Sequence, residues 1–171
     1  MSYISLHNHT MYSVMSSIIK PGDLMKRAAE LGMSSVAITD NFSLGGIWDA
    51  YKLAKANKVK LIVGCQFFFV DSLGPFADFN NKKAKDKPKI PLRPVILIAK
   101  NMEGYRNLLR MNIKSFDCKA GKIPLIDWSL LQQYNAGNMC LTSDASGILG
   151  QRLSSGEFDK AEEDLKKLID I

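Results

Sequence analysis

Two histidines, both in the stretch Leu6-His7-Asn8-His9-Thr10, are the only imidazoles in this 171-residue chain. Side chains at i and i+2 of an extended segment project to one side, so both rings can reach a single ion or a single phosphate. That geometry favours a metal site. Exposed polar residues near a chain start give the same pattern with no chemistry attached, so the pair needs support from elsewhere in the chain. The support is positional. Asp40 and Asn41 follow the apolar run Val36-Ala37-Ile38, Gln66 follows the run that begins at Val59, and Asp144 follows a short run over 138–142. Residues just past the carboxyl ends of parallel strands gather at one mouth of an α/β fold, and His7 and His9 fall in the same relation to Tyr3–Leu6.

The elements that must hold these residues alternate in type. Tyr3 to Leu6 reads as a short strand. Pro21-Gly22-Asp23 marks a helix entrance, with Asp23 as N-cap, Leu24, Ala28 and Leu31 on one face, and Gly32 as the stop. Ser34 to Thr39 reads as a buried strand. A helix from about Gly46 presents Ile47, Ala50, Tyr51 and Ala54, and leads to a strand at Val59–Val63 that runs on through Gly64-Cys65-Gln66 to Val70. Val95–Ala99 is a fourth strand. Asn101 then caps a helix with Tyr105, Leu108, Leu109 and Asn112 on one face, and Asp127 caps a short helix carrying Leu130, Leu131 and Tyr134. Asn138–Thr142 is a fifth strand, and a last helix carries the stripe Phe158, Ala161, Leu165, Leu168 and Ile169. This order specifies an α/β protein with mainly parallel strands. Five strands are fewer than a closed parallel barrel uses, so the chain is an open sheet or a barrel cut short.

Composition narrows the classes. A hydrophobic fraction of 46% and a charged fraction of 23% are those of one ordinary globular domain. No apolar run is long enough to cross a membrane, and the start lacks the basic and apolar regions of a secretory signal, which places the expected location in the cytoplasm. Cys65, Cys118 and Cys140 are odd in number and widely spaced, which argues against a disulfide framework or a zinc knuckle. Much of the net charge of +6 arises in residues 72–94, where Lys82, Lys83, Lys85, Lys87, Lys89 and Arg93 crowd together with only Asp86 among them. The segment reads as a basic loop or insertion. These lysines can contact a nucleic-acid backbone, but no aromatic residue is interleaved for base stacking, and a solvated loop is the favoured reading.

Taken in order, the motifs resemble the PHP (polymerase and histidinol phosphatase) domain, in the version that begins the bacterial DNA polymerase III alpha subunit. The stretch from Leu6 to Ser13 is similar to the family's opening His-x-His-(Ser/Thr)-x-(Tyr/Phe)-Ser. Ala29-Glu30-Leu31-Gly32-Met33 with Val36 to Asn41 resembles "ELGM…ALTDH", and Ile62 to Phe67 resembles "IIGCEFY". Leu97 to Asn101 with Gly104 to Leu108 resembles "LLAKNxxGYxNL", and Ile126-Asp127-Trp128 with Leu130-Leu131 also has a counterpart. The resemblance covers nearly the whole chain. It implies a partial or truncated distorted (β/α)7 barrel in a single domain over 1–171, the amino-terminal piece of a longer polymerase subunit. In active members of the family a multinuclear metal site at the barrel mouth hydrolyses phosphoesters, with cations activating water and neutralising the phosphoryl charge.

The same resemblance marks departures. Asn41 stands where the family has the histidine of "TDH", and Gln66 where it has the glutamate of "GCE". Ser16 occupies the acidic position downstream of the histidines, and Pro94 lies near a histidine position before the "LLAK" strand. His7 and His9 remain, with Asp144 as a substitute ligand for a residual divalent ion such as zinc, manganese or magnesium. An amide in place of a carboxylate removes a full charge from a site that must hold cations close together. The expectation is a catalytically degenerate domain acting as scaffold and partner-binding surface in DNA replication. Its partners would be the remainder of the alpha subunit, the proofreading exonuclease subunit and, indirectly, DNA, with no membrane. The alternative is a metal-dependent phosphoesterase or 3'-5' exonuclease with a nonstandard ligand set.

Overall fold

A computed structural model describes residues 3–77, 79 and 91–170, and the chain forms two compact units, Met1–Gln66 and Phe67–Ile171. Both are α/β. The first holds helix α1 (Pro21–Glu30), strand β1 (Ser35–Asn41), helix α2 (Ile47–Ala56) and most of strand β2 (Lys60–Phe69). Pro21 occupies the first helical turn, where its fixed φ and missing N–H cost nothing. The helix therefore starts two residues before the expected cap, and Asp23 lies inside the first turn, where a negative charge suits the helix dipole. Pro21, Met25 and Ala28 face inward, while Leu31, one residue past the end, is exposed. Gly32, at φ +68°, reverses the chain after the helix. Ile47, Ala50 and Ala54 of α2 are buried, and α1 packs against both α2 and β1. Tyr51, expected on the buried face, is exposed and stacks against Trp48.

β1 and β2 are parallel and paired from Ser35 with Lys60 to Asn41 with Gln66. This register sets the carboxyl end of β1 against Gln66, three residues before β2 ends, with Asn41 directly beside Gln66. The expected first strand over Tyr3–Leu6 reduces to one parallel bridge between Ser5 and Val36. The peptide beyond it is held on β1 by side-chain and backbone bonds together. Asn8 donates from Nδ2 to the Ala37 carbonyl (3.0 Å) and from its backbone to Thr39 Oγ1 (3.1 Å), while Thr39 N–H donates to the Asn8 carbonyl (2.9 Å).

In the second unit, the end of β2 runs parallel to β5 (Ile123–Ile126), with Phe68 opposite Leu125. A two-residue turn that includes Gly121, at φ +69°, joins β4 (Lys119–Ala120) to β5 as an antiparallel hairpin. β3 (Arg93–Ala99) pairs antiparallel with β6 (Asn138–Leu141), so this unit mixes both senses while the site-bearing strands β1 and β2 are parallel. Val70, Phe76 and Leu125 form a core, and Phe69 meets Trp128 edge to face at 4.8 Å between ring centroids. Asn101 and Asp127 cap helices α3 (Met102–Ser115) and α4 (Trp128–Tyr134), accepting from Gly104 N (3.0 Å) and Leu130 N (3.1 Å). Both caps match the sequence reading.

The inner face of α3 is Gly104, Asn107, Leu108, Met111 and Ser115, rotated from the expected one, and Leu109 points to solvent. Gly104 fixes this rotation, because a Cβ there would lie 2.0 Å from the Gly137 carbonyl oxygen. Helix α5 (Ile148–Ser154) has no counterpart in the sequence reading. Gly150 interrupts its pattern and is required, since a Cβ would come within 2.3 Å of the Asp144 carbonyl oxygen. α6 (Phe158–Asp170) buries Ala161 and Asp164 and leaves Phe158, Leu165 and Ile169 of its expected stripe exposed. Of the 72–94 segment, Gly74–Phe76 forms a 3-10 turn that buries Phe76. Lys82, Lys83, Lys85, Lys87 and Lys89 lie outside the described residues. Among the described residues no helix is long and apolar enough to cross a membrane.

Candidate functional site

The first unit places the histidine pair, the loop after it, the carboxyl end of β1 and Gln66 of β2 together. With Asn8 turned onto β1, His7 and His9 share the opposite side of the peptide, and their Nε2 atoms lie 3.1 Å apart. At that distance one ring donates N–H and the other accepts on its lone pair. Burial, and then the neighbouring His7, push the His9 pKa below its usual 6.5, while a hydrogen bond to Gln66 and the charge of Asp40 act the other way. A neutral His9 suits the shared hydrogen bond.

Beneath the pair sits Asp40, 1% exposed at the end of β1. Its Oδ1 accepts from Thr10 N–H (2.5 Å) and Ser13 Oγ (2.6 Å), and its Oδ2 accepts from Thr10 Oγ1 (2.7 Å). Thr10 and Ser13 are fully buried. Ser13 Oγ also accepts from the Asn41 backbone N–H at 2.9 Å, and Ser17 Oγ donates to the His9 carbonyl at 2.9 Å. The carboxylate thus organises the loop after the histidines, and its oxygens are committed to that loop. The sequence reading noted Asp40 at a strand end without this role. Thr10 and Ser13, hydroxyls spaced three apart beside the histidines, are the signal that points to it.

Ser16, Asn41 and Gln66, the three positions in this unit where the resemblance marks lost ligands, touch one another. Gln66 Nε2 donates to Asn41 Oδ1 at 2.8 Å, and Asn41 Nδ2 donates to Ser16 Oγ at 3.2 Å. The polar tips run from His7 through His9, Gln66 and Asn41 to Ser16, each occupied by the next. Gln66 is buried, which makes its partners obligatory. Among the described residues, no three His, Cys, Asp or Glu converge as a metal cluster. Two imidazoles, two hydrogen-bonded amides and a hydroxyl do not fit a multinuclear metal centre, which needs several anionic ligands.

The remaining sequence candidates lie in the second unit. Asp144 Oδ1 accepts from the backbone N–H (2.8 Å) and Oγ (2.6 Å) of Ser146, capping its own turn. Pro94 is half-buried in β3. Arg93, which closes the basic run, is 2% exposed, reaches Asp71 at 2.6 Å and lies over the Phe69 ring at 5.1 Å, so it is no part of a basic surface. Sequence reasoning missed its neighbour Arg152, which bonds Asp71 (3.0 Å), Glu157 (2.9 Å) and Asp164 (3.2 Å). Burial opposes the Arg152 charge, but hydrogen bonds to Glu157 and Asp164 and the charge of Asp71 outweigh it and raise its pKa.

The family model described as "PHP domain" matches residues 5–171, and the chain belongs to that family. It is 33% identical over 170 residues to the DNA polymerase III subunit alpha of Aquifex aeolicus, covering 99% of this chain and 14% of that protein. It is 32% identical to the subunit from Chlamydia trachomatis, covering 93% and 12%, and 31% identical to that from Treponema pallidum, covering 98% and 14%. The chain therefore spans 12–14% of the length of these relatives.

Proposed function

We propose that this chain is the PHP domain of a bacterial replicative DNA polymerase III alpha subunit, without phosphoesterase activity of its own, and that it serves as scaffold and partner-binding domain. The observation that carries the reading is the hydrogen-bonded chain Gln66–Asn41–Ser16 beside the histidines. Amide and hydroxyl groups that satisfy one another hold the mouth together without a cation, and they leave too little negative charge to attract two or three. Its partners are the rest of the alpha subunit and, through it, DNA. The proofreading exonuclease subunit is the leading separate partner, and the cytoplasm is the compartment that replication implies.

A second reading, a metal-dependent phosphoesterase or 3'-5' exonuclease, draws on one observation: two Nε2 atoms 3.1 Å apart nearly bracket a point about 2 Å from each, the zinc–nitrogen distance. Hydrolysis of a generic phosphoester and of a single-stranded oligonucleotide in Mn²⁺ or Zn²⁺ separates the two. Rates equal in the wild type and in His7→Ala support the silent domain, and turnover that His7→Ala abolishes overturns it.

A further inference from the structure

The aromatic interleaving that the lysine run of residues 82–89 lacks is present on helix α2. With Ile47, Ala50 and Ala54 buried, the opposite face of the helix carries Trp48, Tyr51, Lys52 and Lys55. At 3.6 residues per turn these four fall within an arc of about 100°. Trp48 and Tyr51 are 68% and 53% exposed, and their rings lie 22° from parallel with centroids 6.1 Å apart. A single exposed aromatic residue needs no explanation, but two large rings side by side in solvent form a platform for a flat ligand.

Cations frame this platform. Lys52, Lys55, Lys58 and Lys60 are all exposed, on α2, on the turn after it and at the first residue of β2. Between Asn41 and Asp71 the only acidic residue is Asp49, so four lysines stand against one carboxylate. Asp49 lies about 100° round the helix from Trp48, where it pairs with Lys52 at 2.9 Å and the Tyr12 hydroxyl reaches it at 3.5 Å. Lys52 Nζ is also 5.8 Å from the Trp48 ring centroid. Among the described residues Lys55, Lys58 and Lys60 have no carboxylate partner. Helix α1, packed alongside, adds no net charge: Arg27 and Glu30 pair at 3.1 Å, and Asp23 offsets Lys26. Lys58 has φ +56° just past the cap Asn57, a position where chains commonly place glycine. A lysine held there against its backbone preference keeps a cation at the platform's edge.

We propose that the outer face of α2 binds single-stranded nucleic acid, with a base stacked on Trp48 and Tyr51 and the neighbouring phosphates on Lys52, Lys55 and Lys58. Every base has a π-face, so the contact is tolerant of sequence. A duplex fits poorly because its bases are already stacked on one another. A protein surface laid here would need several carboxylates placed to match the lysines, whereas a single strand offers an anion at every residue together with an aromatic face. This goes beyond the scaffold reading, in which DNA is reached through the rest of the alpha subunit, and it holds whether or not the mouth at His7 and His9 takes a metal.

The test titrates the full 171-residue chain with a labelled oligothymidylate of about twelve residues, in EDTA so that no metal at the mouth contributes. Anisotropy of the label gives the affinity, and tryptophan emission reports stacking. Binding should fall with salt at a log–log slope of about −2, as expected for three phosphate contacts to a single strand. Trp48→Ala should weaken it about tenfold, and Lys55→Glu/Lys58→Glu about tenfold. Quenching should vanish in Trp48→Phe while most of the affinity remains, because Trp128 packs against Phe69 in the second unit. All these positions are exposed, and unchanged circular dichroism shows that the variants fold. The proposal is overturned if the wild type does not bind at low salt, if the Trp48→Ala or the double-lysine variant binds as the wild type does, or if an abasic oligomer of equal length binds as tightly. Binding that survives the α2 variants but is lost when Lys82, Lys83, Lys85, Lys87 and Lys89 are neutralised also overturns it, as does quenching by phosphatidylserine vesicles without any by the oligonucleotide. Failure here leaves the metal and hydrolysis measurements on the His7–His9 mouth untouched, so the two readings fail separately.

Discussion

Replacing Asp40 measures how firmly the candidate site is built. The carboxylate accepts three hydrogen bonds of 2.5–2.7 Å from two fully buried residues. Bonds to a charged acceptor contribute about 1.5–3 kcal/mol each, roughly twice a neutral bond. Asp40→Asn keeps the shape, and Thr10 Oγ1 can rotate to accept from the new amide, so the cost is the charge-assisted part of three bonds, about 2–4 kcal/mol. Asp40→Ala leaves the Thr10 amide, the Thr10 hydroxyl and the Ser13 hydroxyl without an acceptor and opens a void, for about 4 kcal/mol or more. Urea unfolding at pH 7 followed by far-ultraviolet circular dichroism should rank wild type above Asn above Ala, with the denaturant slope unchanged. A loss below about 0.5 kcal/mol in Asp40→Asn, or an Ala variant more stable than the Asn variant, would refute the idea that this carboxylate organises the loop.

Four other outcomes follow from the same structure. Arg152→Met leaves Asp164, whose side chain is 5% exposed, with only the looser Lys167 at 3.9 Å, and should cost about 2–3 kcal/mol in urea, less than a fully buried pair because Asp71 is half exposed. Hydrogen bonds from Lys160 and then Arg152 hold Glu157 below its ordinary 4.5, so its stabilisation is complete above that pH and lost as pH falls through the depressed value; Arg152→Met should flatten this acid limb. By proton NMR, His9 should titrate below 6.5, lower still in Gln66→Leu, which removes a bond that favours its charged form; stability from the neutral ring is present above 6.5 and fades as pH drops through the lowered midpoint, and a His9 midpoint above 6.5 would contradict its partial burial beside His7. Burial pushes the Cys65 thiol up to about 12 and Cys140 to about 11, so buried Cys65 should not react with a disulfide reagent at pH 8 until the chain unfolds, and half-buried Cys140 should react more slowly than a free thiol.

Much of the positioning was legible in the residues themselves. The His-x-His spacing on an extended segment, the apolar run that delivers Asp40 and Asn41, and the caps Asn101 and Asp127 all express local rules of side-chain direction and hydrogen bonding. What escaped depends on contacts between distant residues. The rotation of α3 is set by Gly104 lying against the Gly137 carbonyl, a steric fact invisible to periodicity. Helix α5 was hidden because Gly150, chosen for close approach to the Asp144 carbonyl, weakens its pattern. The Arg152 cluster joins residues 71, 157 and 164, which no local window connects. Family motifs pointed to Ser16, Asn41 and Gln66 one by one, but only the parallel register of β1 and β2 brings Asn41 and Gln66 side by side.

The central claim is that the mouth around His7 and His9 is held by hydrogen bonds and not by cations. Metal analysis of the purified chain, followed by calorimetric titration with Zn²⁺ and Mn²⁺ after chelation, tests it directly. The expected result is substoichiometric metal, and thermal unfolding at the same temperature with and without chelator. One or more equivalents of tightly bound metal, lost together with thermal stability in His7→Ala, would contradict it.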